Sequence, residues 1–123
     1  MTPVALVSIV EDDESVRESI ESLIRAMGWE VLTFDSADAF LRSGAVYKTR
    51  CLISDVTMPG MSGLEMHALL RSQGNAPPTI FITAYPTAQD ESVALANRAL
   101  AYLEKPVDSS VILEKVREAI GKA

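Results

Sequence analysis

Short apolar runs alternate with amphipathic stretches from one end of this chain to the other, and that alternation limits its fold more than any single motif does. Val4 to Val10 is a nearly continuous apolar run, strand-like in length. Beyond an acidic cluster, Val16, Ile20, Leu23, Ile24 and Met27 recur at i, i+4, i+7, i+8 and i+11, which is the stripe of a helix with Gly28 as its C-terminal stop. Trp29 to Thr33 predicts a second strand, Ser36 to Leu41 a short helix with Ser36 as N-cap, and Cys51 to Ser54 a third strand. Leu64 to Ser72 reads as a helix and Thr79 to Thr83 as a fourth strand. Gln89 to Ala99 predicts a helix and Ala101 to Leu103 a fifth strand. Asp108 then caps a last helix carrying Ile112, Leu113, Val116 and Ile120. Strands apolar on both faces and separated by helices belong in a parallel sheet covered on both sides, so an α/β, doubly wound, five-stranded parallel sheet is expected.

At 123 residues and 48% apolar composition, the chain can bury a core without a metal or disulfide staple, and residues 1–123 are expected to form a single domain. The single cysteine, Cys51, lies within an apolar run and is expected to be a small buried hydrophobe. Met1-Thr2-Pro3 leads into a strand pattern without a basic leader, and no apolar run approaches the roughly 18 residues of a membrane span, so a cytoplasmic protein is expected. A net charge of −6 repels a phosphate backbone and argues against direct nucleic-acid binding.

In such sheets, sites form beyond the carboxyl ends of the strands. The first strand presents Glu11, Asp12 and Asp13 at that edge, the third Asp55, the fourth Thr83, and the fifth leads to Lys105-Pro106. Carboxylates gathered in one cleft repel unless a cation joins them, and a hard divalent ion with oxygen ligands, Mg²⁺ above all, suits them. Asp55 then makes sense as a nucleophile that takes up a phosphoryl group, with Lys105 and Thr83 supplying donors for the developing charge.

Four stretches carry a family resemblance: VEDDESVRES at 10–19, SDVTMPGMSGLE at 54–65, ITA at 82–84 and LEKP at 103–106. Together they resemble the receiver domains of response regulators, which histidine kinases phosphorylate on aspartate. The texture is also similar to receivers of the nitrogen-fixation, FixJ-like type. The resemblance implies a (βα)5 flavodoxin-like fold with strand order 2-1-3-4-5 and makes Asp55 the phosphoacceptor. Asp12 would bind the metal directly, Glu11 mainly through water, and Thr57 through its backbone carbonyl, with Mn²⁺ able to replace Mg²⁺. Asp13 would face out as a helix N-cap. Thr83 and Lys105 would each take a phosphoryl oxygen, Tyr102 would be the switch aromatic, and Thr57 and Tyr85 would tune phosphoryl lifetime. A cis peptide is implied at Lys105-Pro106.

The implied protein is a signalling switch rather than an enzyme, catalysing at most its own phosphorylation and dephosphorylation. Its expected partners are a sensor histidine kinase or phosphotransfer protein. Homodimerisation or effector binding would use the surface of the fourth helix, fifth strand and fifth helix. No linker follows Lys122-Ala123, so a receiver alone is expected, stand-alone or cut from a larger regulator. Two departures stand out. Asn97-Arg98-Ala99 replaces the family's common Ala-Gly-Ala, so either Asn97 takes the left-handed cap or the helix ends differently, and Ala101 stands where aspartate is frequent. His67, on a helix among polar neighbours, is expected on the surface.

Three rival functions are weighed against this. A dehalogenase-like phosphatase needs a second acid that Asp55-Val56-Thr57 lacks. A flavodoxin-like nucleotide module needs a phosphate loop where Glu11-Asp12-Asp13 would repel the ligand. A degenerate receiver, acting as a phosphate-independent interaction module, would lack some of the key residues, and all are present.

Overall fold

The computed structural model describes residues 4–121, in which five strands and five α-helices alternate. The strands are β1 (Leu6–Val10), β2 (Glu30–Phe34), β3 (Thr49–Asp55), β4 (Thr79–Thr83) and β5 (Ala101–Glu104). The helices are α1 (Glu14–Ala26), α2 (Ala37–Ser43), α3 (Gly63–Ser72), α4 (Ala88–Ala96) and α5 (Ser109–Gly121). All pairings are parallel, in the order β2-β1-β3-β4-β5. Among the described residues no helix is long and apolar enough to cross a membrane.

Alternate strand residues feed opposite faces of the sheet. Ile9, Ile53, Ile80 and Ile82 pack with Ile20 and Ile24 of α1 and Ile112 and Val116 of α5. On the other face Val10 and Leu52 pack with Phe40 of α2 and Met66 and Leu70 of α3, while Phe81 joins Val56 and Ala94 of α4. Each fully buried side chain of this size stabilises the fold by about 1.5–3 kcal/mol, so both helix layers are held mainly by hydrophobic burial. Cys51 is buried within the first cluster, and burial pushes its thiol up to about 12, as an inert hydrophobe requires.

Helix starts follow the expected chemistry. Asp13 and Ser36 accept hydrogen bonds from the N–H groups of Val16 and Ala39 at the starts of α1 and α2. Ser62 and Glu65 form a reciprocal capping box on α3.

Several expectations need correction. Val4 is exposed and precedes the first strand, and Met27 leaves the helix stripe to become an exposed C-cap. A 3-10 turn at Ala45–Lys48, unforeseen, seats Ala45 and Val46 in the core. Helix α4 stops at Ala96, three residues early. Its end is a Schellman motif in which the Arg98 N–H donates to Leu95 and the Ala99 N–H to Ala94. Arg98 itself, not Asn97, takes the left-handed position, at φ 65°. The matching position after α3 carries Gly74 at φ 75°, the residue that adopts this conformation without a Cβ penalty.

Candidate functional site

Strand β1 ends in Val10 and hands the chain to Glu11, whose N–H is pinned to the Phe34 carbonyl of β2 at 3.0 Å. The Glu11 side chain is wholly buried, and one of its carboxylate oxygens accepts from the Asp13 N–H. Strand β3 ends in Asp55, 6% exposed, whose carboxylate accepts from the Thr57 N–H at 3.2 Å. Between them stands Lys105, delivered by β5 and the cis Lys105–Pro106 bond. Its ammonium lies 2.7 Å from Glu11 and 3.0 Å from Asp55.

Electrostatics follow from this geometry. Burial, opposed by the Lys105 ammonium, pushes the Glu11 carboxyl up to about 7. Burial alone would lower Lys105, but the Glu11 and Asp55 carboxylates outweigh it and hold its ammonium above the ordinary lysine value. With Asp12 exposed at the rim, oxygen atoms of Glu11, Asp12 and Asp55 come within 4.8 Å of one another. Three carboxylates on one cleft are a donor set for a hard cation, and the residues present fit Mg²⁺.

Thr83, at the end of β4, is buried, with its hydroxyl accepting from the Tyr85 N–H at 3.0 Å. The Tyr85 ring is 77% exposed and turned to solvent rather than over the site. Tyr102 is half-buried beside Phe81 and Ala94, and its hydroxyl accepts from the Thr87 N–H at the cap of α4. Thr57 is exposed at the rim. The sheet edge thus brings together Glu11, Asp12, Asp55, Thr57, Thr83 and Lys105, while Tyr102 stands behind β4's end.

Three supports escaped the sequence. Arg17 donates to the Glu11 carbonyl at 2.9 Å, and Ser54 Oγ donates to the Asp55 carbonyl at 2.9 Å. Gly63 packs so tightly that a Cβ there would collide with that same Asp55 carbonyl oxygen. A glycine just inside a capped helix start was the available signal. His67 is the opposite case, expected on the surface but 2% exposed, its ring edge-on to Phe81 at 5.3 Å.

The family model for the response regulator receiver domain matches residues 7–117. The chain is 35% identical over 117 residues to the transcriptional regulatory protein FixJ of Azorhizobium caulinodans, a match covering 95% of this chain and 56% of that protein. It is 38% identical over 112 residues to nodulation protein W of Bradyrhizobium diazoefficiens, covering 91% and 49%. A crystal structure of FixJ-N superposes with a TM-score of 0.86 at 31% identity, covering 99% of this chain and 98% of that one. The chain spans about half the length of the curated relatives it matches. Receiver domains are signalling proteins rather than conventional enzymes, and they accept phosphoryl groups from histidine kinases. On matched motifs, fold and relatives alike, this chain belongs to the response regulator receiver family.

Proposed function

We propose that the chain is a phosphorylation-activated switch that accepts a phosphoryl group on Asp55 from a histidine kinase or phosphotransfer protein. The observation that carries this is Lys105 bridging the carboxylates of Glu11 and Asp55. An Asp55 carboxylate oxygen attacks phosphorus, the bond from phosphorus to the donor nitrogen breaks, and the electron pair leaves with the donor imidazole. Lys105 neutralises charge developing on one phosphoryl oxygen and the Thr83 hydroxyl donates to another. Glu11, Asp12, Asp55 and the Thr57 carbonyl would hold Mg²⁺, or Mn²⁺ in its place. The cation would supply charge neutralisation for the incoming phosphoryl group. Thr57, whose N–H donates to Asp55, and Tyr85, whose ring would have to turn in from solvent, tune how long the group survives. Incubation with acetyl phosphate and Mg²⁺ is expected to add one phosphoryl group, removable by hydroxylamine. An unchanged intact mass would overturn the proposal.

Metal binding should carry a pH signature. Below about 7 the proton stays on Glu11 and competes with the cation, so Mg²⁺ affinity is lost as pH falls through that value and gained as pH rises through it. Titrations followed by Trp29 fluorescence or calorimetry between pH 5.5 and 8 measure this. Glu11→Gln should bind weakly and lose that inflection, and Asp12→Ala should not bind. A flat wild-type profile would remove Glu11 from the metal site.

Output is assigned to the surface of α4, β5 and α5, as homodimer or effector contact. Phosphorylation adds roughly −1.5 to −2 charge to a site already acidic. Drawing the Thr83 hydroxyl toward it vacates room beside Ala84, and Tyr102, released from the Thr87 N–H, swings into that room and frees the start of α4. Amide NMR shifts with beryllofluoride are expected to change over residues 88–103 and α5. Changes limited to the loops of Asp12, Asp55 and Lys105 would locate the output elsewhere. The transcriptional role of FixJ supports control of transcription, by a longer chain containing this domain, as the output we assign.

A further inference from the structure

At the edge of the sheet opposite Asp55, α3, α5 and the segments entering β4 and β5 border an open cavity of about 470 Å³. His67 and Arg71 of α3, Arg98 before β5 and Glu118 of α5 supply its polar lining, and Pro77 and Pro78 an apolar wall. None of these residues takes part in the phosphoacceptor chemistry. Three features of the lining bear on what it can bind.

First, the His67 side chain is almost wholly buried, yet its Nδ1 has no hydrogen-bond partner among the described residues. Such groups are rare, because desolvation without a partner is unfavourable. Burial, and then the charge of Arg71, hold its imidazole below the ordinary histidine value. Second, Arg71 and Arg98 are exposed, and their guanidiniums form no ion pair or hydrogen bond among the described residues, so both are free to meet a ligand. Glu118 gives the lining its carboxylate, but Lys115 lies 3.5 Å from it and offsets that charge. Third, Arg98 holds the left-handed cap position at φ 65°, where glycine is favoured, and so delivers a guanidinium to the cavity at a conformational cost.

We propose that this cavity is an oxyanion site for a phosphate-class dianion, either inorganic phosphate or the phosphate head of a small ester. Two guanidinium forks match the oxygens of a tetrahedral dianion, which offers more acceptors than a single carboxylate can. The imidazole adds a third nitrogen-bearing group, and an anion beside it favours its protonated form. The volume is in the range of small-ligand sites and exceeds what bare phosphate fills, leaving the proline wall to meet an organic part of an ester.

His67 is the chain's single histidine, so its imidazole gives one unambiguous NMR signal. The test is a titration of the Mg²⁺-free protein at constant ionic strength with inorganic phosphate, glycerol 3-phosphate or sodium chloride. A saturable shift and a raised His67 pKa are expected with phosphate-bearing ligands and not with chloride. Response to both assigns recognition to the phosphate group alone, and response to the ester only makes the organic part necessary. Arg98→Gly should resist urea better than wild type yet bind about tenfold more weakly, and Arg71→Gln should weaken binding similarly with its other amide shifts unchanged. Asp55→Asn should bind as wild type does, which separates this site from the phosphoacceptor. A His67 signal that responds to neither phosphate ligand beyond the chloride control overturns the proposal. So does wild-type affinity in either arginine variant.

Discussion

Replacing Asp55 by asparagine is expected to reduce phosphoryl uptake from acetyl phosphate to nothing detectable by intact mass, with the fold unharmed. The amide nitrogen has its lone pair delocalised and cannot serve as the carboxylate nucleophile does. Shape changes little, and the substituted side chain can still accept from the Thr57 N–H through its amide oxygen. The electrostatic consequence also favours folding. Asp55 is among the groups raising the Glu11 carboxyl, so removing its charge lets Glu11 ionise more readily and keep Lys105 to itself. Urea resistance at pH 7 should therefore equal or exceed that of wild type. Lys105→Ala makes the complementary case. It leaves the nucleophile in place but two buried carboxylates without their shared cation, so labelling should persist slowly and stability should fall. Equal labelling of wild type and Asp55→Asn would move the acceptor to another residue.

Much of this architecture was legible because local and global signals agree. Thr79 to Thr83 is a bounded apolar, β-branched run, and the structure places β4 on those residues. The same holds for Ser36 and Asp13, whose side chains suit only a helix start at their positions. The site was legible through topology: parallel strands present their following residues on one edge, so Glu11, Asp55 and Lys105 could be grouped from strand order alone. What stayed hidden depends on contacts between distant segments. His67 looks polar among its sequence neighbours, yet Gly63, Met66, His67 and Leu70 fall at i, i+3, i+4 and i+7 and are all buried. Its polarity points outward while its helical position points inward, and Phe81 on β4, which covers the ring, lies 14 positions further along. The end of α4 misled for a related reason. Propensity favours Asn97 for the left-handed cap, but the paired hydrogen bonds to Ala94 and Leu95 fix the motif one residue later, where the chain has arginine.

Gly63→Ala tests how the acceptor is held, and it is expected to be the most damaging single methyl addition near the site. The first residue of α3 lies against the carbonyl of Asp55, and an added Cβ would overlap that oxygen and come within 2.8 Å of Ser54 Oγ. The obstacle is backbone at the end of a central strand, so it cannot swing aside as a flexible side chain would. Relief requires α3 to retreat, stretching the Gly63 N–H bond to the Val56 carbonyl, 2.9 Å in the wild type, or the Asp55–Thr57 segment to shift. Either movement displaces the Asp55 carboxylate relative to Lys105. A loss of about 3 kcal/mol in urea unfolding is expected, at the upper end of overpacking effects, together with slower labelling and weaker Mg²⁺ binding. Gly74→Ala is the control, because that glycine is left-handed but open to solvent space, and only the conformational penalty of about 1 kcal/mol should appear, with labelling intact. If the two variants lose equal stability and label equally fast, close packing of α3 on β3 does not position the acceptor. A large gap in both measurements would show that one hydrogen-sized side chain sets the place of the nucleophile.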